Sequence, residues 1–104
     1  VKLSDSINNH IKNITGALTK LITLNGITYT SLDNTQIGQK EQTGLIGEEV
    51  KEILPEAVNI DENGNYNIAY GNLAGLIIEA IKELKTSIDT INTKINTINT
   101  HLNI

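Results

Sequence analysis

The chain has 104 residues, 38% of them hydrophobic, and a formal net charge of -4, which allows one small domain and not two. It has no Cys, which excludes a disulfide framework and cysteine-bound zinc or iron–sulfur centres; it also has no Arg and an acidic balance, so duplex nucleic acid is not an expected partner. No apolar run approaches the roughly 20 residues of a membrane span, and Val1–Asp5 lacks the basic start and apolar stretch of a signal peptide.

From the N-terminus, Ser4-Asp5 is first of all a pair suited to capping a helix. Ile11, Ile14, Ala17, Leu18, Leu21 and Ile22 then recur at helical spacing. They predict an amphipathic helix over Ile11 to Leu24, with a break available at Gly16 and a stop at Asn25-Gly26. Asn13-Ile14-Thr15 has the form of a glycosylation sequon, but nothing in the sequence points to secretion. Ile27 to Leu32 is β-branched-rich and alternating, which predicts a strand. Asp33 to Thr43 is polar, contains Gly38, and reads as a loop.

After the short apolar run Gly44-Leu45-Ile46, the spacing of Val50, Ile53 and Leu54 predicts a helix over Glu48 to Leu54, ended by Pro55. Glu48 and Glu49 suit its N-terminus. Ala57 to Ile60 and Tyr66 to Tyr70 flank Asp61-Glu62-Asn63-Gly64, a hairpin signal. The carboxylates in that turn are better explained by turn chemistry than by calcium. There is no glycine-rich phosphate loop, so no nucleotide, and more generally no cofactor or metal, is expected.

The C-terminal third carries the clearest pattern. From Leu73 to Ile104 there is no Pro, and no Gly after Gly75. Apolar residues stand at Ile77, Ile81, Leu84, Ile88, Ile91, Ile95, Ile98 and Leu102, in steps alternating four and three. That is a heptad seam, with Ile81, Ile88, Ile95 and Leu102 at a and Ile77, Leu84, Ile91 and Ile98 at d. Ile at both positions favours trimers or tetramers. The outer positions are mostly Asn and Thr, each up to about 0.7 kcal/mol worse than Ala in a helix. An isolated chain is therefore expected to fray from about Thr86 onward, and burial of the seam against partner chains offsets the deficit.

In order, the motifs are Ser4-Asp5, Lys12-Asn13-Ile14, the Ile27-Thr28-Tyr29 strand, Gly44-Leu45-Ile46-Gly47-Glu48-Glu49-Val50, Ile53-Leu54-Pro55-Glu56-Ala57-Val58, and Tyr70-Gly71-Asn72-Leu73 leading into Leu76 to Leu84. This ordered set, across nearly the whole chain, resembles the intramolecular chaperone (S74 peptidase) domain of phage tail spikes, endosialidases and neck appendage proteins. The Asn-, Thr- and Ile-rich composition, which fits an AT-rich coding genome, points the same way. The resemblance implies a C-terminal domain that trimerises and holds three chains in register while an upstream β-rich stalk folds. It implies work in the host cytoplasm during phage assembly, then self-release and absence from the mature virion.

The resemblance also implies chemistry. In the family a Ser, in a Ser-Asp pair, attacks the carbonyl before it, and a Lys five residues later takes the proton. Here the Ser is Ser4, supported by Asp5, and the scissile bond is Leu3–Ser4; the fifth residue on is Asn9, and the next Lys is Lys12, eight positions away. A straight helix would separate Ser4 and Lys12 by about 12 Å, so Lys12 requires a tight turn. Two other assignments stay open: Ser6 with Lys12, and His10 as base four residues after Ser6. Plain capping and solvated side chains stay open too, as does a trimerisation module that does not cut. Glu48 and Glu49 either pack the Gly44–Glu48 block against the cleavage segment or simply suit a helix start.

The expected fold is α+β: a small mixed head with short strands and a β-hairpin over 1–72, including a cleavage segment at 1–14. A long helix over 73–104 follows and forms a trimeric coiled coil. The expected partners are two further copies of the chain, joined through Ile77, Ile81, Leu84, Ile88, Ile91, Ile95, Ile98 and Leu102, and the upstream stalk of the same polypeptide.

Overall fold

The structure, a computed structural model, describes residues 10–30 and 41–102. The fold is α+β: two small antiparallel hairpins and a long C-terminal helix. The first helix, α1 (Ala17–Leu21), is much shorter than the spacing predicts. Gly16 has φ 65°, a left-handed conformation natural to glycine and incompatible with a continuing right-handed helix. Ile11 to Thr15 therefore run irregularly, and the helix starts only after Gly16.

Strand β1 (Gly26–Tyr29) pairs antiparallel with β2 (Gln42–Leu45), Gly26 opposite Leu45 and Tyr29 opposite Gln42. Gln42 and Thr43, expected in a loop, are thus strand residues. Their polarity suits an exposed two-stranded ladder, where pairing with Thr28 and Tyr29 decides the conformation. The strand expected to reach Leu32 ends its ladder at Tyr29, and Ser31 and Leu32 lie outside the described residues. So does the Asp33 to Lys40 part of the expected loop.

Helix α2 (Gly47–Ile53) agrees with the predicted span to within a residue at each end, and Pro55 opens a short 3-10 turn (Pro55–Ala57). At its start Gly47 allows a close approach: a Cβ there would stand 2.5 Å from Tyr66 Cβ. The predicted hairpin forms from β3 (Val58–Ile60) and β4 (Tyr66–Ile68), Val58 opposite Ile68. Its turn uses Gly64 at φ 81°. Asp61 Oδ1 accepts the N–H groups of Asn63 and Asn65, each at 2.9 Å. The Asn65 bond foremost, and the Asn63 bond after it, hold the Asp61 carboxyl below the ordinary carboxylate value. That carboxylate serves the turn. Among the described residues no three His, Cys, Asp or Glu side chains are grouped to hold a metal.

A second 3-10 turn (Tyr70–Leu73) leads into α3 (Ala74–Leu102), a helix of 29 residues, about 43 Å long. No helix among the described residues is long and apolar enough to cross a membrane. The core sits where α1, α2 and the 3-10 turns meet the first two turns of α3. Val50 and Leu76 are its largest fully buried side chains.

Candidate functional site at the base of the long helix

Helix α3 presents two different faces. Leu73, just before it, and Leu76 and Ala80 on it are buried in the head, exposed by 3%, 1% and 1%. Glu83 continues this face one turn further and also meets the head. Beyond Glu83 nothing among the described residues covers the helix. The heptad residues lie on the adjacent face, Ile77 being 40% exposed and Leu102 76%. Between them Ile81, Leu84, Ile88, Ile91, Ile95 and Ile98 are all exposed. Together they form a stripe of large apolar side chains along a helix about 43 Å long.

The N-terminal segment is fixed to the head-facing side of this helix. Glu83 Oε2 accepts the Ala17 N–H at 2.8 Å and Oε1 accepts the Leu18 N–H at 3.3 Å. These amides begin α1 and have no carbonyl partner within it. A carboxylate at a helix start is favoured by both hydrogen bonding and charge. Small residues permit the contact. Ala17 is fully buried, Ala80 nearly so, and a Cβ at Gly75 would stand 3.3 Å from Ile14 Cδ1. At the other end, Glu49 Oε1 and Oε2 accept the Asn25 backbone and side-chain N–H groups at 3.2 and 2.9 Å. The stretch from Ala17 to Asn25 is thus held by α3 at one end and α2 at the other. Glu83→Ala is expected to lower stability by about 1–2 kcal/mol. It should also speed hydrogen exchange at the Ala17 and Leu18 amides while leaving the Asn25 amide unchanged.

Beside the start of the heptad stripe lies an open cavity of about 690 Å³, bordered by Ile27, Gly44, Leu45, Tyr70, Leu73 and Ile77. Tyr70 Oη accepts the Leu45 N–H at 3.1 Å and ties the first hairpin to the entry of α3. This bond places the Gly44-Leu45-Ile46 motif and the Tyr70 motif side by side.

Of the residues predicted for cleavage, Ser4, Asp5 and Ser6 lie outside the described residues. Lys12 is exposed in the irregular segment before α1, and His10 is exposed at a turn. Since Ile11 to Thr15 are not helical, the straight-helix separation does not govern the path through Lys12. Glu48 is exposed, whereas Glu49 reaches the end of the α1 segment through Asn25. Sequence reasoning missed Glu83. The only signal for it was a carboxylate one helical turn beyond Ala80, in line with Leu76 and off the heptad seam.

No curated protein matches the chain. The sequence profile of the Peptidase_S74 family, chaperone of endosialidase, matches residues 7–59, about half of the chain. The match runs from the approach to α1 through β3, the segment that packs on the base of α3. With this ordered head carrying a long helix, the chain belongs to the Peptidase_S74 family of endosialidase chaperones.

Proposed function

We propose that the chain is the intramolecular chaperone of a phage tail spike or neck appendage. It trimerises through Ile77, Ile81, Leu84, Ile88, Ile91, Ile95, Ile98 and Leu102, and holds three upstream stalks in register while they fold. The observation that carries this reading is the uncovered heptad stripe of α3. Intertwined β-structure depends on long-range pairing and folds slowly. A coiled coil forms from local contacts and keeps the three chains at high effective concentration. In this reading the domain works in the host cytoplasm during phage assembly.

Release follows by self-cleavage between Leu3 and Ser4. Ser4 Oγ attacks the Leu3 carbonyl carbon, and its proton passes to Lys12 Nζ. The Leu3–Ser4 C–N bond breaks, and the proton goes on to the departing Ser4 amine. Water then hydrolyses the ester, leaving a Leu3 carboxylate and a free Ser4 hydroxyl. Asp5 supports the Ser4 geometry. In the single chain Lys12 is exposed. Cleavage removes the route back and leaves the spike kinetically stable, without the chaperone in the mature virion.

Subunit mass under denaturing conditions tests this in the chain joined to its upstream stalk. Wild type is expected to give two fragments, the smaller beginning at Ser4, and Ser4→Ala a single intact chain. An intact wild type in folded trimers would leave a trimerisation chaperone and remove the peptidase. The eight-residue separation of Ser4 and Lys12, where the family has five, favours this second reading.

A further inference from the structure

The hydrogen bonds of the second hairpin leave one of its edges open. The Asp61 N–H donates to Asn65 O at 3.0 Å, and the Ala69 N–H donates to Ala57 O at 2.7 Å. Bonded and non-bonded positions alternate along an antiparallel pair. With Val58 opposite Ile68 and Ile60 opposite Tyr66, the bonded positions on the β4 side are Asn65, Asn67 and Ala69. Tyr66 and Ile68 are the non-bonded ones, so their N–H and C=O groups point away from β3. No hydrogen bond among the described residues uses these groups. On the β3 side the Val58 N–H turns back to Pro55 O, which closes part of that edge.

The open edge of β4 runs beside a cavity. Tyr66, Asn67 and Ile68 all border one open space of about 420 Å³. Consecutive residues border a space along a strand's edge, whereas along one face only every second residue would. The remaining wall is Tyr29, Leu45, Gly47 and Tyr70. All three aromatic side chains of the chain therefore surround this space. Gly44 seats two of them: a Cβ there would stand 2.8 Å from Tyr70 Oη and 3.3 Å from Tyr29 Cε1. Tyr29 and Tyr70 are exposed and lie outside the core. Among the described residues no charged side chain borders the cavity.

This lining selects its occupant. Strand edges are usually blunted by Lys, Pro, a bulge or a covering element, but β4 contains neither Lys nor Pro and pairs without a bulge. A strand laid about 4.8 Å from β4 would exchange bonds with both the N–H and the C=O of Tyr66 and of Ile68. Its apolar side chains would meet the tyrosine rings. Backbone groups at alternate positions beside an uncharged aromatic wall match an extended polypeptide. The chain belongs to a family of chaperones, and a chain still folding is one whose strands are unpaired.

We propose that the open edge of β4 and the tyrosine-lined cavity beside it dock an extended, uncharged segment of a client polypeptide, which adds to the hairpin as a third strand. The inference rests on the chaperone role and uses neither the trimer nor the cleavage, which native mass and subunit mass test separately.

The test is amide hydrogen exchange of the full chain, alone and with a capped, uncharged pentapeptide of alternating Thr and Val. In the free chain the Tyr66 and Ile68 amides are expected to exchange fast, and those of Asn67 and Ala69 slowly. The peptide is expected to slow Tyr66 and Ile68 several-fold and to leave Ile60, on the other edge, unchanged. The same peptide methylated at every backbone nitrogen cannot donate, and is expected to protect neither amide. Tyrosine fluorescence, which in this chain comes only from Tyr29, Tyr66 and Tyr70, is expected to change saturably over the same peptide range. Fast exchange at Tyr66 and Ile68 at every peptide concentration would overturn the proposal. So would equal protection by the methylated peptide. Slow exchange of both amides in the free chain would overturn it too, since the chain itself would then cover the edge.

Discussion

Replacing Ile88 and Ile95 together by Asp is expected to dissociate the chain to a monomer and to melt α3 beyond Thr86. Both residues are at a positions and are about half exposed in the single chain, at 47% and 48%. In a trimer each layer would bury three isoleucines, worth about 1.5–3 kcal/mol apiece. Two layers therefore lose on the order of 10 kcal/mol, and three carboxylates at one level add repulsion. Nothing else in this part of the helix compensates. The Thr90, Thr93, Thr97 and Thr100 hydroxyls donate to carbonyls four residues back, an arrangement that slightly weakens helices. The ion pair of Lys85 with Asp89, at 2.7 Å, is an exposed i,i+4 pair worth a few tenths of a kcal/mol. Native mass and far-ultraviolet circular dichroism check the result. Thr93→Asp, at an outer f position, is the control and is expected to leave the trimer intact.

Leu76→Ala is expected to have the largest effect on the head, a loss of about 3–4 kcal/mol. Leu76 is 1% exposed and belongs to the cluster joining Ala17, Val50 and Leu73 to the base of the helix. A small domain has about 5–15 kcal/mol of total stability, so the head becomes marginal. The outer part of α3 carries most of the seam and, in the proposed trimer, is expected to stay associated. Thermal unfolding should therefore change from one transition to two, with the Tyr29, Tyr66 and Tyr70 signals lost in the earlier one. A single unshifted transition would mean that the head does not depend on this contact.

The sequence made the strongly periodic pieces legible. Helix α2 and the Asn-Gly hairpin lie where spacing and turn chemistry predict them, because both are set by local interactions. The length of α3 was equally clear, since its seam repeats without Pro. Helix α1 was overestimated because Ile11 and Ile14 keep helical spacing while Gly16 turns left-handed and Ile14 packs on Gly75 instead. The β1–β2 pairing was half hidden, since Gln42 and Thr43 owe their strand to partners more than ten residues away. The Glu83 contact joins positions 66 residues apart and no local pattern announces it. For the proposed cleavage site, sequence supplied the Ser4, Asp5 and Lys12 pattern by family resemblance. Geometry supplied only the contacts of Ile14 with Gly75 and of Asn25 with Glu49, and Ser4 and Asp5 lie outside the described residues.

The most direct test is the mass of the wild-type chain in solution by sedimentation equilibrium over a wide concentration range. A single species of three times the 11.3 kDa chain mass is expected. A species of 11.3 kDa at all concentrations, or a dimer or tetramer, would contradict the three-fold chaperone.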